Sequence, residues 1–220
     1  MVDFLFGNGY EAFLVTVALL AAIPYGIYVG LKRLATRITG GPRMATREQV
    51  DELKSKMTTQ RAELIAAARS LSREDSLRVP VDAEGEEQWT ALEQLAHLWE
   101  MERAYDAWVL RALHEENPDL AGTAPSPVEI PIESANLHTV EDLVDALIRE
   151  RLYTEGIIDA IRLDDFERTA VSPVFGQLTV LQWVRSFYRH DRQHAAQVQG
   201  RKSDYQPNFK TKEPNQRQAR

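Results

Sequence analysis

The 220-residue chain contains no cysteine. That excludes disulfides, thiolate metal sites and a cysteine nucleophile. Any bound metal must then be held mainly by His, Asp or Glu, and any thiol in a reaction must come from outside the chain. Glycine is scarce at 11 residues, while Ala, Leu, Glu and Arg are abundant, a balance that favours helix over sheet. A basic excess is also lacking. The net charge is −7 and the pI about 5.3, which argues against nucleic acid as a partner. No internal repeat is visible, and the length suits one ordinary domain with accessory segments.

What is present divides into three parts. Residues 1–43 read as a membrane anchor and linker. Ala12 to Leu31 is a run of 20 residues without a charge, and as a helix it would span roughly 30 Å, the hydrocarbon thickness of a bilayer. Lys32, Arg33 and Arg37 follow at once, whereas the N-terminal flank carries Asp3 and Glu11. The positive-inside rule then places the C-terminal side in the cytoplasm. The expectation is a single-pass cell-membrane protein whose partner is the lipid bilayer through residues 12–31. A cleaved signal peptide is one alternative, but it calls for a basic start where this one is acidic. Translation from Met44 is the other. Thr36–Arg43 is a breaker-rich linker. Residues 44–200 read as the folded domain. Residues 201–220 are a polar tail with six Lys or Arg against one Asp and one Glu. It is expected to be solvated and disordered, or to touch the anionic inner leaflet.

Four helices are expected in the domain. The first covers Thr46–Ser70, with Val50, Leu53, Met57, Leu64 and Ile65 as its apolar stripe. The second opens on a capping box, Thr90 with Glu93, and runs toward Glu116 and Pro118. The third begins at Thr139, puts Leu143, Leu147 and Ile148 on one face, and ends near Leu163. The fourth opens on a second capping box, Thr179 with Gln182, and continues to Gln199, where Gly200 stops it. Proline-bearing loops separate them, including one around Pro173 and Gly176.

Three histidines stand out. His190 and His194 are four residues apart on the fourth helix, on the stripe that holds Trp183 and Phe187. That spacing puts both imidazoles on one inward face. His97 lies on the second helix, on the stripe of Met101, Ala104 and Trp108. Helical bundles build metal sites from such inward side chains on facing helices, and buried imidazoles need a hydrogen-bond or metal partner. His114, in the last turn of the second helix, and His138, just before the third, read as surface residues. Glu93 reads as a cap. Glu100 and Glu102 read as solvated, or as partners to an imidazole. Tyr188 and Arg192 read as surface or packing residues.

The segments Trp89-Thr-Ala-Leu-Glu-Gln-Leu-Ala-His97-Leu and Leu178-Thr-Val-Leu-Gln-Trp183, followed by His190-x-x-x-His194-x-x-Gln197, resemble the DinB/YfiT-like superfamily. The resemblance covers about Ala45–Gly200. It implies an all-α, up-down-down-up four-helix bundle with a long crossover, here with an N-terminal transmembrane helix added. It also implies a site for a divalent metal, zinc or nickel, with His97, His190 and His194 as ligands, and it is compatible with a homodimer. Proteins of this resemblance include thiol-dependent S-transferases and a thiol-dependent isomerase acting on small molecules.

Three functional readings follow. Three neutral imidazoles leave a metal an open position, where a low-molecular-weight thiol would ionise to its reactive form. That is a metal-dependent thiol S-transferase. A metal-dependent hydrolase is the second reading: His190-Asp-Arg-Gln-His194 has the spacing of the zincin HExxH motif, with Asp191 in the place of the catalytic Glu. A non-catalytic metal- or ligand-binding module is the third.

Overall fold

The computed structural model describes residues 44–79, 88–203 and 205. The described residues all belong to one compact unit, Met44–Arg220. The expected anchor at 12–31 and nearly all of the tail lie outside the described residues. Among the described residues, no helix is long and apolar enough to cross a membrane.

Among the described residues, four long helices and one short one carry the fold: α1 (Arg47–Arg69), α2 (Arg73–Ser76), α3 (Ala91–His114), α4 (Val140–Ala160) and α5 (Val180–Gln197). Each long helix begins in a complete capping box, in which a Thr hydroxyl and the side chain three residues on each satisfy a backbone N–H. Thr90 with Glu93 and Thr179 with Gln182 are the two expected from sequence. Thr46 with Gln49 and Thr139 with Asp142 are two more. The last uses Asp where the usual pattern has Glu or Gln.

Contacts between side chains fix the helix directions. Arg69 pairs with Glu141 and Lys54 with Asp159, so α1 and α4 are antiparallel. Trp99 bonds Glu150 and Thr154 bonds Asp106, so α3 and α4 run parallel. Gln94 meets His194 and Tyr105 packs near Trp183, so α5 opposes α3. The order is up-down-down-up. Parallel neighbours cannot be joined by a short turn, and residues 115–139 make the long return, including a 3-10 turn at Ile132–Leu137.

One expected helix end moves, and one expected loop is a pair of strands. The third helix stops at Ala160, and Leu163–Glu167 forms a separate 3-10 turn. The segment around Pro173 and Gly176 is an antiparallel hairpin, β1 (Thr169–Ser172) with β2 (Gly176–Thr179). The crossover ties to it, with the Val171 N–H donating to Pro118 at 2.8 Å and the Leu120 N–H to Val171 at 2.8 Å. Strands of four residues are too short to show a sustained alternation. Ile148 is not on the buried face of α4. It is 37% exposed, because the stripe continues from Leu147 through Arg151 and Thr154 to Ile158.

The core has two apolar halves. Met57, Tyr105, Ile158, Trp183 and Phe187 belong to one, and Leu64, Leu98, Leu147 and Val198 to the other. Between them each long helix contributes one charged residue: Arg61, Glu102, Arg151 and Asp191, all buried. Arg61 holds Asp191 through Nε (3.1 Å) and Nη2 (2.9 Å) and also bonds Glu102. Arg151 donates to Glu102 at 2.7 Å and to Asp191 at 3.0 Å. Two guanidiniums balance two carboxylates. Burial alone would raise the Glu102 pKa, but Arg151 and Arg61 outweigh it and hold the group down at about 2.

Candidate metal centre

The metal-site candidates meet beside this charged layer. A helix turns 100° per residue, so the rotation of α5 that aims Asp191 at Arg61 and Arg151 aims His190 and His194 at α3. There they find His97. One nitrogen from each of the three rings lies within 4.8 Å of the others. His190 Nε2 is 3.2 Å from His97 Nε2 and 2.9 Å from His194 Nε2. Two nitrogens bound to one tetrahedral zinc at ~2.05 Å would sit about 3.3 Å apart, so the spacing suits a shared ion.

Proton counting supports the same reading. The Gln94 side-chain oxygen faces His194 Nδ1, so Nδ1 carries the ring proton and Nε2 presents its lone pair. A proton on His190 Nε2 can point to His194 or to His97, not to both. A cation at the point where the three nitrogens converge satisfies all of them. The residues therefore fit a divalent ion with a three-His donor set.

Electrostatics keep the ligands in the binding form. His97 and His194 are 3% and 0% exposed. Burial pushes the pKa of both well below the ordinary histidine range, and neighbouring imidazoles push the same way. His190 is pushed down to about 3, by burial first and then by the Arg61 guanidinium. All three are neutral at physiological pH. Trp89 packs on His97 with ring centroids 4.7 Å apart, and Tyr105 approaches His190 at 5.8 Å.

Other residues take different places. His114 is exposed and His138 is half-buried, and neither joins the cluster. Asp191 is 1% exposed and committed to two arginines; it is not placed to serve as the base of a zincin-like motif. Glu102 is not solvated, since it is the partner of Arg61 and Arg151. Glu100 accepts the Ile132 N–H at 3.1 Å. Tyr188 packs against the apolar core, and Arg192 is exposed.

Gln94 escapes a reading of the sequence by residue type, although it lies one turn before His97 on α3. Its contact orients the His194 ring and selects its tautomer. Gln94→Leu is expected to weaken divalent-metal affinity about 10- to 100-fold while keeping the stoichiometry at saturation. Competition against a chromophoric chelator measures this, and unchanged affinity would remove Gln94 from that role.

A family model for the DinB superfamily matches residues 56–198. The chain belongs to the DinB superfamily. The match spans α3 to α5 and most of α1, and so includes all three histidines. Among solved structures, YfiT from Bacillus subtilis is similar, with a TM-score of 0.56 at 17% identity over 71% of this chain and 88% of that one. YfiT is described as "a probable metal-dependent hydrolase with an unusual four-helix bundle topology". At this identity the likeness shows the fold. No curated protein matches the chain.

Proposed function

We propose that this DinB-superfamily protein is a metal-dependent thiol S-transferase that uses a low-molecular-weight thiol from solution. The observation that carries the reading is a buried three-His cluster to which no described carboxylate adds a ligand. Zinc and nickel are the ions proposed, since imidazole donors suit both. A divalent cation held by the three imidazoles would supply Lewis acidity, favouring ionisation of a thiol or a water. The nearest acidic side chain in sequence, Asp191, is held by Arg61 and Arg151. Glu102, the other carboxylate near His190, is held by the same two arginines, and without a free described base a thiol is the easier nucleophile to ionise, because its pKa of about 8.5 lies far below that of water.

The protein's own residues do the rest. Gln94 holds the His194 ring in one tautomer. Trp89 and Tyr105 pack against His97 and His190, which limits the room for competing water on those sides. Asp191 and Arg61 set the rotation of α5 and thus the direction of both its histidines.

The test supplies small thiols with an electrophilic acceptor and compares the wild-type protein with His194→Ala. Thiol consumption that depends on metal and falls at least about 100-fold in the variant is the expected result; equal rates would sink the proposal. Hydrolysis is the second reading, favoured by the description of YfiT. It is distinguished by ester or amide turnover without any thiol.

The protein is further proposed to sit at the membrane through residues 12–31, with the bundle in the cytoplasm. The uncharged run and the Lys32, Arg33 and Arg37 that follow it support this. Expressed from Met1, the protein should stay in the membrane fraction through an alkaline carbonate wash, and its release by that wash would overturn the proposal.

A further inference from the structure

A second concave site lies away from the histidines, between the parallel helices α3 and α4. It is a cavity of about 460 Å³, within the range that takes a small organic ligand. Trp99, Leu110 and Tyr153 give it apolar walls, and Glu129 and Arg149 lie in its lining. Asp106 also lines it and is 3% exposed.

The hydrogen bonding of Asp106 is incomplete. Its Oδ2 accepts the Thr154 hydroxyl at 2.9 Å, while Oδ1 is buried with no partner. That hydroxyl has one proton and also lies 3.0 Å from Glu102 Oε1, so it serves both groups only when Asp106 Oδ2 carries a proton and donates to it. Among the described residues, no guanidinium is committed to Asp106. Arg103 is bound to Glu150 at 2.8 Å and to the Pro127 carbonyl, and Arg151 is bound to Glu102 and Asp191. A buried carboxyl oxygen without a donor is a costly arrangement that native structures rarely leave uncompensated. Whether Asp106 is ionised or carries its proton on Oδ2, Oδ1 is an acceptor facing a deficit of N–H or O–H.

We propose that this cavity binds a small organic amine, whose nitrogen donates to Asp106 Oδ1 after a small turn of that buried side chain toward the cavity, while its apolar portion lies against Trp99 and Tyr153. Trp99 already carries the Arg103 guanidinium over its ring at 5.3 Å, so it offers the ligand its hydrocarbon edge, and Tyr153 is the wall whose face can attract a cation. An anionic ligand would meet Arg149 at the exposed rim but would bring its charge toward Asp106 and Glu150. Separately, burial, with Glu102 nearby, raises the Asp106 pKa to about 8. The carboxyl is therefore mostly neutral at pH 7 when the cavity is empty, and pairing with the ammonium releases its proton to solvent.

The site is tested by titrating the full-length chain with 2-phenylethylamine and with phenylacetate, following heat of binding. Asp106→Asn is the decisive variant. It keeps an oxygen for Thr154, removes the buried acid, and should fold, as circular dichroism would verify. Tyr153→Ala, at a side chain 57% exposed, probes the wall without touching the core. The expected result is amine binding by the wild type that weakens at least tenfold in Asp106→Asn and measurably in Tyr153→Ala. It should persist in His194→Ala, because the site is not the metal centre. Equal affinity in Asp106→Asn, loss in His194→Ala alone, preference for phenylacetate, or no binding of the amine by the wild type at millimolar concentration would each overturn the proposal.

Discussion

His97→Ala, His190→Ala and His194→Ala should each reduce bound divalent metal from about one ion per chain to a small fraction of that, since each removes one of the three convergent imidazoles among the described residues. Elemental analysis of the purified proteins measures the loss directly. Thermal unfolding gives a second readout. An ion that binds the native state alone, at 100 times its Kd, adds about 2.7 kcal/mol, so added zinc or nickel should raise the melting temperature of the wild type by several degrees. The variants should show little response. The neutral state of the imidazoles strengthens the expectation, because burial has already removed the proton that would compete with metal. Stoichiometric metal in His97→Ala would take that residue out of the site and leave a two-His centre on α5 alone.

Asp191→Ala is the change expected to cost most in stability. It leaves the Arg61 and Arg151 guanidiniums buried with Glu102 as their one remaining carboxylate in the layer. Removing one partner of a buried ion pair typically costs about 3–5 kcal/mol. Urea unfolding, read as a lower midpoint at constant slope, would show it. A loss below about 1 kcal/mol would mean that the charged layer does not hold the four helices in register. Asp191→Asn separates structure from chemistry: a metal-dependent turnover that survives in the folded variant excludes Asp191 as a base. The same layer gives the protein an acid limit. Glu102 sits at about 2 in the folded protein, against an ordinary value of 4.5. Its contribution is fully present above about pH 4.5 and is lost as the pH falls toward 2.

Much of this was legible in the residues themselves. Capping boxes at Thr90 and Thr179 located two helix starts to the residue, because the Thr-x-x-Glu or Thr-x-x-Gln pattern reports a purely local hydrogen-bond exchange. The i, i+4 spacing of His190 and His194 put them on one face for the same local reason. Arg61 and Arg151 carried a signal that residue type obscured. Each falls in a stripe of buried positions, Met57-Arg61-Leu64 and Leu147-Arg151-Thr154. A charge at helical spacing within an apolar stripe needs a buried partner. The hairpin at Thr169–Thr179 had no such signal, since its two short strands depend on docking against the crossover.

By itself, then, the sequence determined the helical class, the starts of two helices and the inward placing of the three histidines. These follow from backbone capping and from a 3.6-residue period, both settled within a few turns of chain. Only the tertiary structure decided what meets across the helices. It brought His97 to within 3.2 Å of His190, placed Gln94 on His194, turned Asp191 away from the histidines into a buried ion pair, and left Asp106 short of a donor beside a cavity. Each of these joins residues 40 to 130 positions apart, or follows from such a joining. Their pairing is set by how four helices rotate and stagger to bury their apolar faces, a choice that no local stretch of the chain makes alone.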